Sequence, residues 1–545
     1  MTDQPTTPKG GDVQPKVVDM NSLRAMRERV AERRAEEEDK FGSGGGGSCG
    51  IDSRFIHDCL RAEEMGDGLL YCEALRGKFV FDKSSARWLE WTGHHWQLDK
   101  LDRALASVEV VVDHYLEEAN RLSSQASEAS KEGKQDQVDR CEKLRKWIFK
   151  RVASLRTSGR RKACAEWAHT NNYQPLAIKG DELDQDPWLL GCANGVIDLR
   201  TGELRDGRPD DWILKASPVE WQGIDAPCPK WKAALLEIFD GDVEMVAFIQ
   251  RLLGYSITGL HLEHIFPVWY GERGRNGKGV IVNILKSTLG PMAAPIKPEM
   301  LLTIGRPQSS AGPNPEILKL RGLRIAFASE VDQNQTFSTA TIKRLTGGEW
   351  LTARGIQAKD EIDFKQTHTL IMLTNYQPHA PSDDAAFWQR TILVPFNISF
   401  VDLDPKNPNP PAHHRQRNKH LETELLEELP GVLAWLVSGC LLWQKHGLKP
   451  PAAVLKATEE YNREEDWLED FIDECCDRGE GLEEGAAKLH QALKDWWEEV
   501  VGKRRQPPSK KKLGQALRKK GFEKEKRGTY VYFGIRLKDS DALFS

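Results

Sequence analysis

Residues Gly271–Gly279, GERGRNGKG, stand between an apolar run, Ile265–Tyr270, and a helix-like stretch, Val280–Leu289. A strand, a glycine-rich turn and a helix in immediate succession leave few folds open, because the helix must start beside the end of the strand. Such a loop also has the parts that enclose a phosphate. Gly274 and Gly277 permit close backbone approach, the helix N-terminus offers inward N–H groups, and Lys278 is a mobile cation. Gly271, Glu272, Arg273, Gly274, Arg275, Asn276, Gly277, Lys278 and Gly279 are therefore all candidates for lining a phosphate chain. The general pattern G-x-x-x-x-G-K-[ST] would place a glycine where Glu272 stands and a hydroxyl where Gly279 stands, so the magnesium-binding hydroxyl is missing. Read alone, the turn is equally an ordinary strand-to-helix connection, and what distinguishes the two is the order of features downstream.

A chain of 545 residues, 39% of them apolar, is long enough for several packed domains. No apolar run approaches the ~20 residues of a membrane-spanning helix, and the start, MTDQPTTPKGGDVQP, lacks the charged-then-apolar pattern of a secretory leader. The expectation is a cytoplasmic protein without a membrane partner. Ten scattered cysteines, including the adjacent Cys475 and Cys476, read as reduced thiols rather than a zinc site.

Residues 1–50 are a polar tail ending in the flexible linker GSGGGGS. Residues 51–228 read as an N-terminal α/β accessory domain, with tryptophans at 88, 91 and 96, a long charged helical stretch over 101–155 and the strand-like NGVIDLRTGEL at 194–204. Residues 229–400 alternate helical spacing with apolar runs at 323–329, 350–354, 363–365, 367–374 and 391–396, the pattern of an open α/β sheet. Residues 401–455 read as a proline-rich loop and a helical lid. Helix, helix and hairpin patterns over 456–545 suggest a winged helix.

Hydrolysis of a nucleoside triphosphate requires a strand-end carboxylate, a polar group near the terminal phosphate and a cation for transition-state charge. LRIAFASEVD ends an apolar strand in Glu330 and Asp332, two acids placed to bind magnesium and polarise water, though a strand-terminal acid is often only solvated. HTLIMLTN ends in Asn375, whose amide can reach a phosphate oxygen or simply form a turn. Arg390 precedes the strand Thr391–Pro395, either as an interface cation or as a surface ion pair.

With SEVDQ at 329–333, IKRLTGGEWLTARG at 342–355 and LTNYQPHAPSDDAAFWQR at 373–390, the chain resembles the superfamily 3 helicases, and more narrowly the phage/plasmid primase-helicases of the poxvirus type. The resemblance covers roughly residues 51–545. It implies a multidomain α/β protein: an AAA+-like P-loop ATPase core, an N-terminal α/β accessory domain and a C-terminal winged helix. It further implies that ATP is bound with Mg2+, that Lys278 contacts the triphosphate, Glu330 activates water, Asn375 senses the terminal phosphate and Arg390 acts across a subunit interface. The metal ligands it leaves are Glu330 and Asp332.

The segment from 350 to 364 reads as a hairpin with Arg354 and Lys359 flanking its tip, which in the resembling helicases lines the pore of a hexamer and grips one strand by its phosphates. Lys511, Lys512, Lys519 and Lys526 belong to a dense basic run whose charges suit duplex or forked DNA. The function implied is an ATP-dependent DNA helicase, a homo-hexameric ring opening single-stranded and forked DNA for a phage, plasmid or integrated mobile element. Its replication partners are not legible. No paired-acid and histidine set precedes the motor, so the expectation is no primer synthesis. Two other functions fit the same residues: an ATP-switched initiator or loader that binds DNA without unwinding, and a DNA-binding regulator with a degenerate nucleotide site, which Gly279 favours.

Overall fold

The computed structural model describes residues 51–173, 175–303, 314–329, 335–355, 361–404, 409–501 and 507–538. The described residues divide into two compact units, one of residues 51–223 with 289–291 and 361–364, the other holding the remainder. Among the described residues no helix is long and apolar enough to cross a membrane.

The first unit begins with helices α1 (Ser53–Arg61) and α2 (Glu63–Leu75), continues through strands β1 (Phe79–Asp82), β2 (Arg87–Trp91) and β3 (Trp96–Leu98), and then becomes helical: α3 (Arg103–Ala106), α4 (Val108–Lys131), α5 (Gln135–Leu155) and α6 (Ser158–Thr170). The long charged helical stretch is a helical hairpin, because Gly133, with a left-handed φ of +73°, reverses the chain. Val111, Tyr115 and Leu122 of α4 meet Ile148, Val152 and Leu155 of α5 in the core. Asp67, fully buried, accepts from Arg151 at 2.8 Å, Arg160 at 2.8 Å and the Tyr115 hydroxyl at 2.9 Å. Removing one partner from such a buried set costs about 3–5 kcal/mol, because the other charge is left uncompensated.

Strands β1–β3 and β4 (Ala177–Ile178) form one sheet; β5 (Leu189–Cys192), β6 (Gly195–Asp198) and β7 (Glu203–Arg205) form another. NGVIDLRTGEL thus supplies a hairpin, turned where the Asp198 carboxylate accepts from Arg200 N at 2.9 Å. The tryptophans are packing residues. Trp96 is buried, donates to Pro209 O at 2.9 Å and stacks on Trp212, and Trp88 meets Phe81 and His169 edge-on.

The second unit starts with α7 (Pro229–Ile238) and α8 (Val243–Ser256), the latter capped by Asp242, which accepts from Met245 N at 2.9 Å. In chain order there follow β8 (Phe266–Tyr270), α9 (Lys278–Leu289), β9 (Ala293–Ile296), α10 (Pro315–Leu318), β10 (Ile325–Ser329), α11 (Thr339–Leu345), β11 (Trp350–Ala353), β12 (Ile362–Lys365), β13 (Thr369–Thr374), α12 (Ala385–Trp388) and β14 (Thr391–Pro395), all in the second unit except Leu289 and most of β12. Five of these strands make a parallel sheet ordered β14-β8-β13-β10-β9. Burial on both faces explains why β8 and β13 are continuous apolar runs rather than alternating ones.

Beyond the sheet come β15 (Ser399–Val401), β16 (His414–Gln416), α13 (Leu421–Leu426), α14 (Leu429–His446) and α15 (Ala452–Glu464). The stretch read as a helical lid is instead a core helix. α14 is apolar around its circumference, with Val432, Leu433, Leu436, Val437 and Cys440 fully buried, and it packs against α8. The C-terminal module holds α16 (Trp467–Cys475), β17 (Cys476–Gly485), α17 (Ala486–Trp496), α18 (Lys510–Lys519), β18 (Lys524–Arg527) and β19 (Thr529–Leu537), in a sheet ordered β17-β19-β18. Its core joins Phe471, Leu489, Leu493, Leu513, Leu517, Tyr532 and Ile535. The basic segment 524–527 is strand β18, and its hairpin turns at Gly528, with φ +72°. The nine described cysteines are buried.

Candidate phosphate-binding site

Register brings the site together. Tyr270 pairs with Thr374 where β8 and β13 end, so Gly271 and Asn375 leave the sheet side by side, with Gly271 N donating to Thr374 O at 3.2 Å. On the other side of β13, Ser329 pairs with Leu373, which puts the end of β10 at the same edge. Loop residues gathered at the carboxyl ends of parallel strands are the usual place for a ligand in an open α/β sheet.

The nonapeptide folds through its own amide. Asn276 is buried and its Nδ2 donates to Arg273 O at 2.7 Å; a Cβ at Gly271 would lie 2.3 Å from that nitrogen. Gly277 has φ +86°, and a Cβ there would lie 2.6 Å from Ile238 Cδ1 of α7. Arg275 also adopts a left-handed φ, +60°, which absorbs the longer spacing between glycines. Its carbonyl accepts from Phe400 N at 2.8 Å, and the Ser399 hydroxyl donates to Gly274 O at 3.1 Å. Strand β15 therefore staples the lengthened loop, a role for Ser399 and Phe400 that no local signal announces, since they lie more than a hundred residues downstream. Cβ atoms at Gly274 and Gly279 would meet nothing within 4 Å among the described residues, so these two glycines answer no packing demand there.

Lys278 opens α9 and its side chain turns inward, only 7% exposed. Its Nζ donates to Thr374 O at 2.6 Å and to Asn375 Oδ1 at 2.9 Å. Both acceptors are neutral, so burial goes uncompensated by a counter-charge and pushes the amine down to about 8. The Thr374 hydroxyl accepts from Tyr376 N at 3.0 Å and fixes the turn that leaves Asn375 exposed at its tip. Sequence reasoning singled out Lys278 and Asn375 separately; the structure joins them by a hydrogen bond and adds Thr374 as the backbone partner.

The other candidates are placed differently. Glu330, Asp332 and Lys359 lie outside the described residues; β10 ends one residue before Glu330. Arg390 lies at the opposite end of the sheet, where its carbonyl accepts from Phe266 N at 2.6 Å, the start of the strand whose far end carries the loop. A five-residue strand separates the two by about 16 Å, so one chain does not bring Arg390 to Lys278. Arg390 Nη1 donates to Ala386 O at 2.7 Å, while its buried Nε finds no partner among the described residues. Asp384 positions this segment by capping α12 at Phe387 N and accepting from Lys343 at 2.8 Å. Glu465, from the residue after α15, holds the intervening loop through His379 at 2.7 Å and Ala380 N at 3.1 Å.

Arg354 follows β11 and is half-buried, its carbonyl accepting from Asn314 N at 3.1 Å. In the C-terminal module Lys511, Lys512 and Lys526 are exposed, whereas Lys519 is engaged with Asp383 at 2.7 Å.

Residues 65–240 match the domain described as D5 N terminal like. "Putative helicase L207/L206" of Acanthamoeba polyphaga mimivirus is 29% identical over 435 residues, covering 77% of this chain and 44% of that protein. "Putative helicase 022R" of Frog virus 3 (isolate Goorha) is 25% identical, covering 59% and 40%. "Putative primase C962R" of African swine fever virus (isolate Tick/Malawi/Lil 20-1/1983) is 24% identical, covering 54% and 31%. The chain thus spans less than half the length of each of these relatives. In its D5 N terminal like region and in this set of relatives, the chain is similar to viral proteins named as helicases and primases.

Proposed function

We propose that the chain is the ATP-dependent motor of a DNA helicase, active in DNA replication of a phage, plasmid or integrated mobile element and working as a hexameric ring. The observation that carries this reading is the Lys278–Asn375 contact at the edge of a parallel sheet, inside a loop that opens a helix. A triphosphate fits this arrangement. The first N–H groups of α9 have no intrahelical acceptor, and Lys278 is a desolvated cation whose present partners are neutral oxygens. ATP supplies the scissile phosphoanhydride and magnesium the neutralising charge. On the protein side, the loop and Lys278 bind the phosphates, Asn375 orients a terminal oxygen, and Glu330 with Asp332 provides carboxylates for metal and water. Gly279 offers no hydroxyl, and Glu330 and Asp332 would be the residues to hold the metal.

The distance between Arg390 and Lys278 within one chain supports a role for Arg390 on a neighbouring subunit's nucleotide, and hence a ring. The C-terminal module has the helix–helix–hairpin order of a winged helix, and its exposed lysines support DNA as partner. The viral relatives named as helicases and a primase agree with a replication role. The direct test is unwinding of a forked duplex with ATP, together with particle images of the nucleotide-bound protein: strand displacement by a six-membered ring is expected. DNA binding and ATP turnover without displacement would replace this reading with a loader.

The protonation of Lys278 adds a thermodynamic check. Its amine titrates near 8 in the free protein because burial disfavours the charge, and a polyanion restores the charged form. Nucleotide binding should take up a proton above about pH 8, and affinity should fall by up to about tenfold per pH unit there. Calorimetry in buffers of different ionisation enthalpy measures the uptake; a pH-independent affinity between 7 and 9.5 would contradict it.

A further inference from the structure

The basic residues of the C-terminal module do not share one fate. Lys519 Nζ bonds Asp383 at 2.7 Å, and Lys520 bonds Asp466 at 2.7 Å as well as Glu469. Arg527 pairs with Glu483 at 3.2 Å and Glu525 at 3.1 Å. Lys510, Lys511, Arg518 and Lys526, by contrast, are exposed and form no ion pair among the described residues.

The unpaired set converges on one face. In the β18–β19 hairpin Lys524 is opposite Tyr532 and Lys526 opposite Tyr530, so alternation places these four side chains on one side and Glu525 with Arg527 on the other. Lys524 Nζ lies 3.8 Å from the Tyr530 ring centroid and 5.7 Å from that of Tyr532. Tyr532 is buried in the module core, and its hydroxyl reaches α18 at Gly514, where a Cβ would sit 2.5 Å away. Lys510, Lys511 and Arg518 are four or three residues from Gly514 and so lie on the same stripe of α18, whereas Lys519, five residues on, points off it. Arg518 is near enough to Tyr532 to oppose the effect of burial on its phenol. Tyr530, two residues closer to the turn than Tyr532, stays 49% exposed.

We propose that this face, made of Lys510, Lys511 and Arg518 of α18 with Lys524, Lys526 and Tyr530 of the hairpin, is a binding surface for single-stranded DNA, and that Lys519 instead docks the module on Asp383 while Lys520 ties α18 to the start of α16. Cations in a row suit a phosphate backbone, and an exposed aromatic ring among them suits an unpaired base, which stacks without regard to sequence. The choice of DNA rests on the helicase reading above.

Fluorescence anisotropy of the full chain with labelled oligothymidylate tests the assignment. Tyr530→Ala should weaken binding by about tenfold and Tyr530→Phe should not, since one stacked base contributes about 1–3 kcal/mol. The double variant Lys511→Glu/Arg518→Glu should weaken binding by more than tenfold and flatten its salt dependence. Lys519→Ala should bind within about twofold of the native chain; a blunt duplex should bind Tyr530→Ala and the native chain alike. If the native chain unwinds forks while Tyr530→Ala and the double variant still bind oligothymidylate normally, this surface is overturned and the motor reading stands. If these variants lose binding while the native chain never unwinds, the surface stands and the motor reading falls.

Discussion

Lys278→Ala is expected to lower ATP turnover by about 10²–10³-fold, the usual effect of removing one preorganised charge-stabilising group, and to abolish fork unwinding with it. The side chain is buried among neutral acceptors, Thr374 O and Asn375 Oδ1, and its amine is already pushed down to about 8. Its charge therefore works against burial in the free protein and is retained at the expense of local stability. For that reason the variant should melt close to the native chain, which separates lost chemistry from lost folding. Arg390→Ala should be inactive as well, but through a different chain: mixed assemblies of Lys278→Ala and Arg390→Ala should recover part of the turnover, because some interfaces then join an intact lysine to an intact arginine. Unwinding that persists without Lys278 would sink the motor; a mixture as inactive as its parents would sink only the interface role of Arg390.

Gly254→Ala is expected to destabilise the second unit by about 3 kcal/mol, at the upper end of ordinary overpacking, and to lower its melting transition by on the order of 5–10 °C. Helix propensity predicts the reverse, since alanine is better than glycine in a helix interior by about 1 kcal/mol. Packing decides the sign. α8 and α14 cross so closely that a Cβ on Gly254 would lie 2.2 Å from Cys440 N, and one on Gly439 would lie 2.1 Å from Gln250 O. These are backbone atoms, which cannot move aside as a side chain would. Gly279→Ala serves as the control, because none of the described residues lies within 4 Å of its Cβ position and the same thermal scan should show no loss. A native-like melt for Gly254→Ala would mean that the helices are not in backbone contact.

The strands of the central sheet were legible because a parallel strand covered on both faces must be apolar throughout, as in Thr369–Thr374. Strand β17 was not, because CDRGEGLEEG is exposed over most of its length and is held as a strand by pairing with β19 across a bulge between Arg478 and Glu483. The region read as a lid failed for a related reason. Helical spacing reveals a helix, but whether all its sides are covered depends on α8, nearly two hundred residues earlier.

What the chain determines locally is the kind of each part: a glycine-rich turn before a helix, apolar strands, a terminal basic module, and the motifs that carry the family resemblance. Tertiary structure alone decided which of these parts meet. Strand order set β13 beside β8, and register then placed Asn375 against Lys278 while leaving Arg390 at the far end of the same sheet. The same long-range packing divided the basic run into lysines held by acids and lysines facing solvent. The physical reason is that spacing along a chain reports only which side of its own element a residue occupies, whereas contact, burial and charge compensation come from elements remote in sequence.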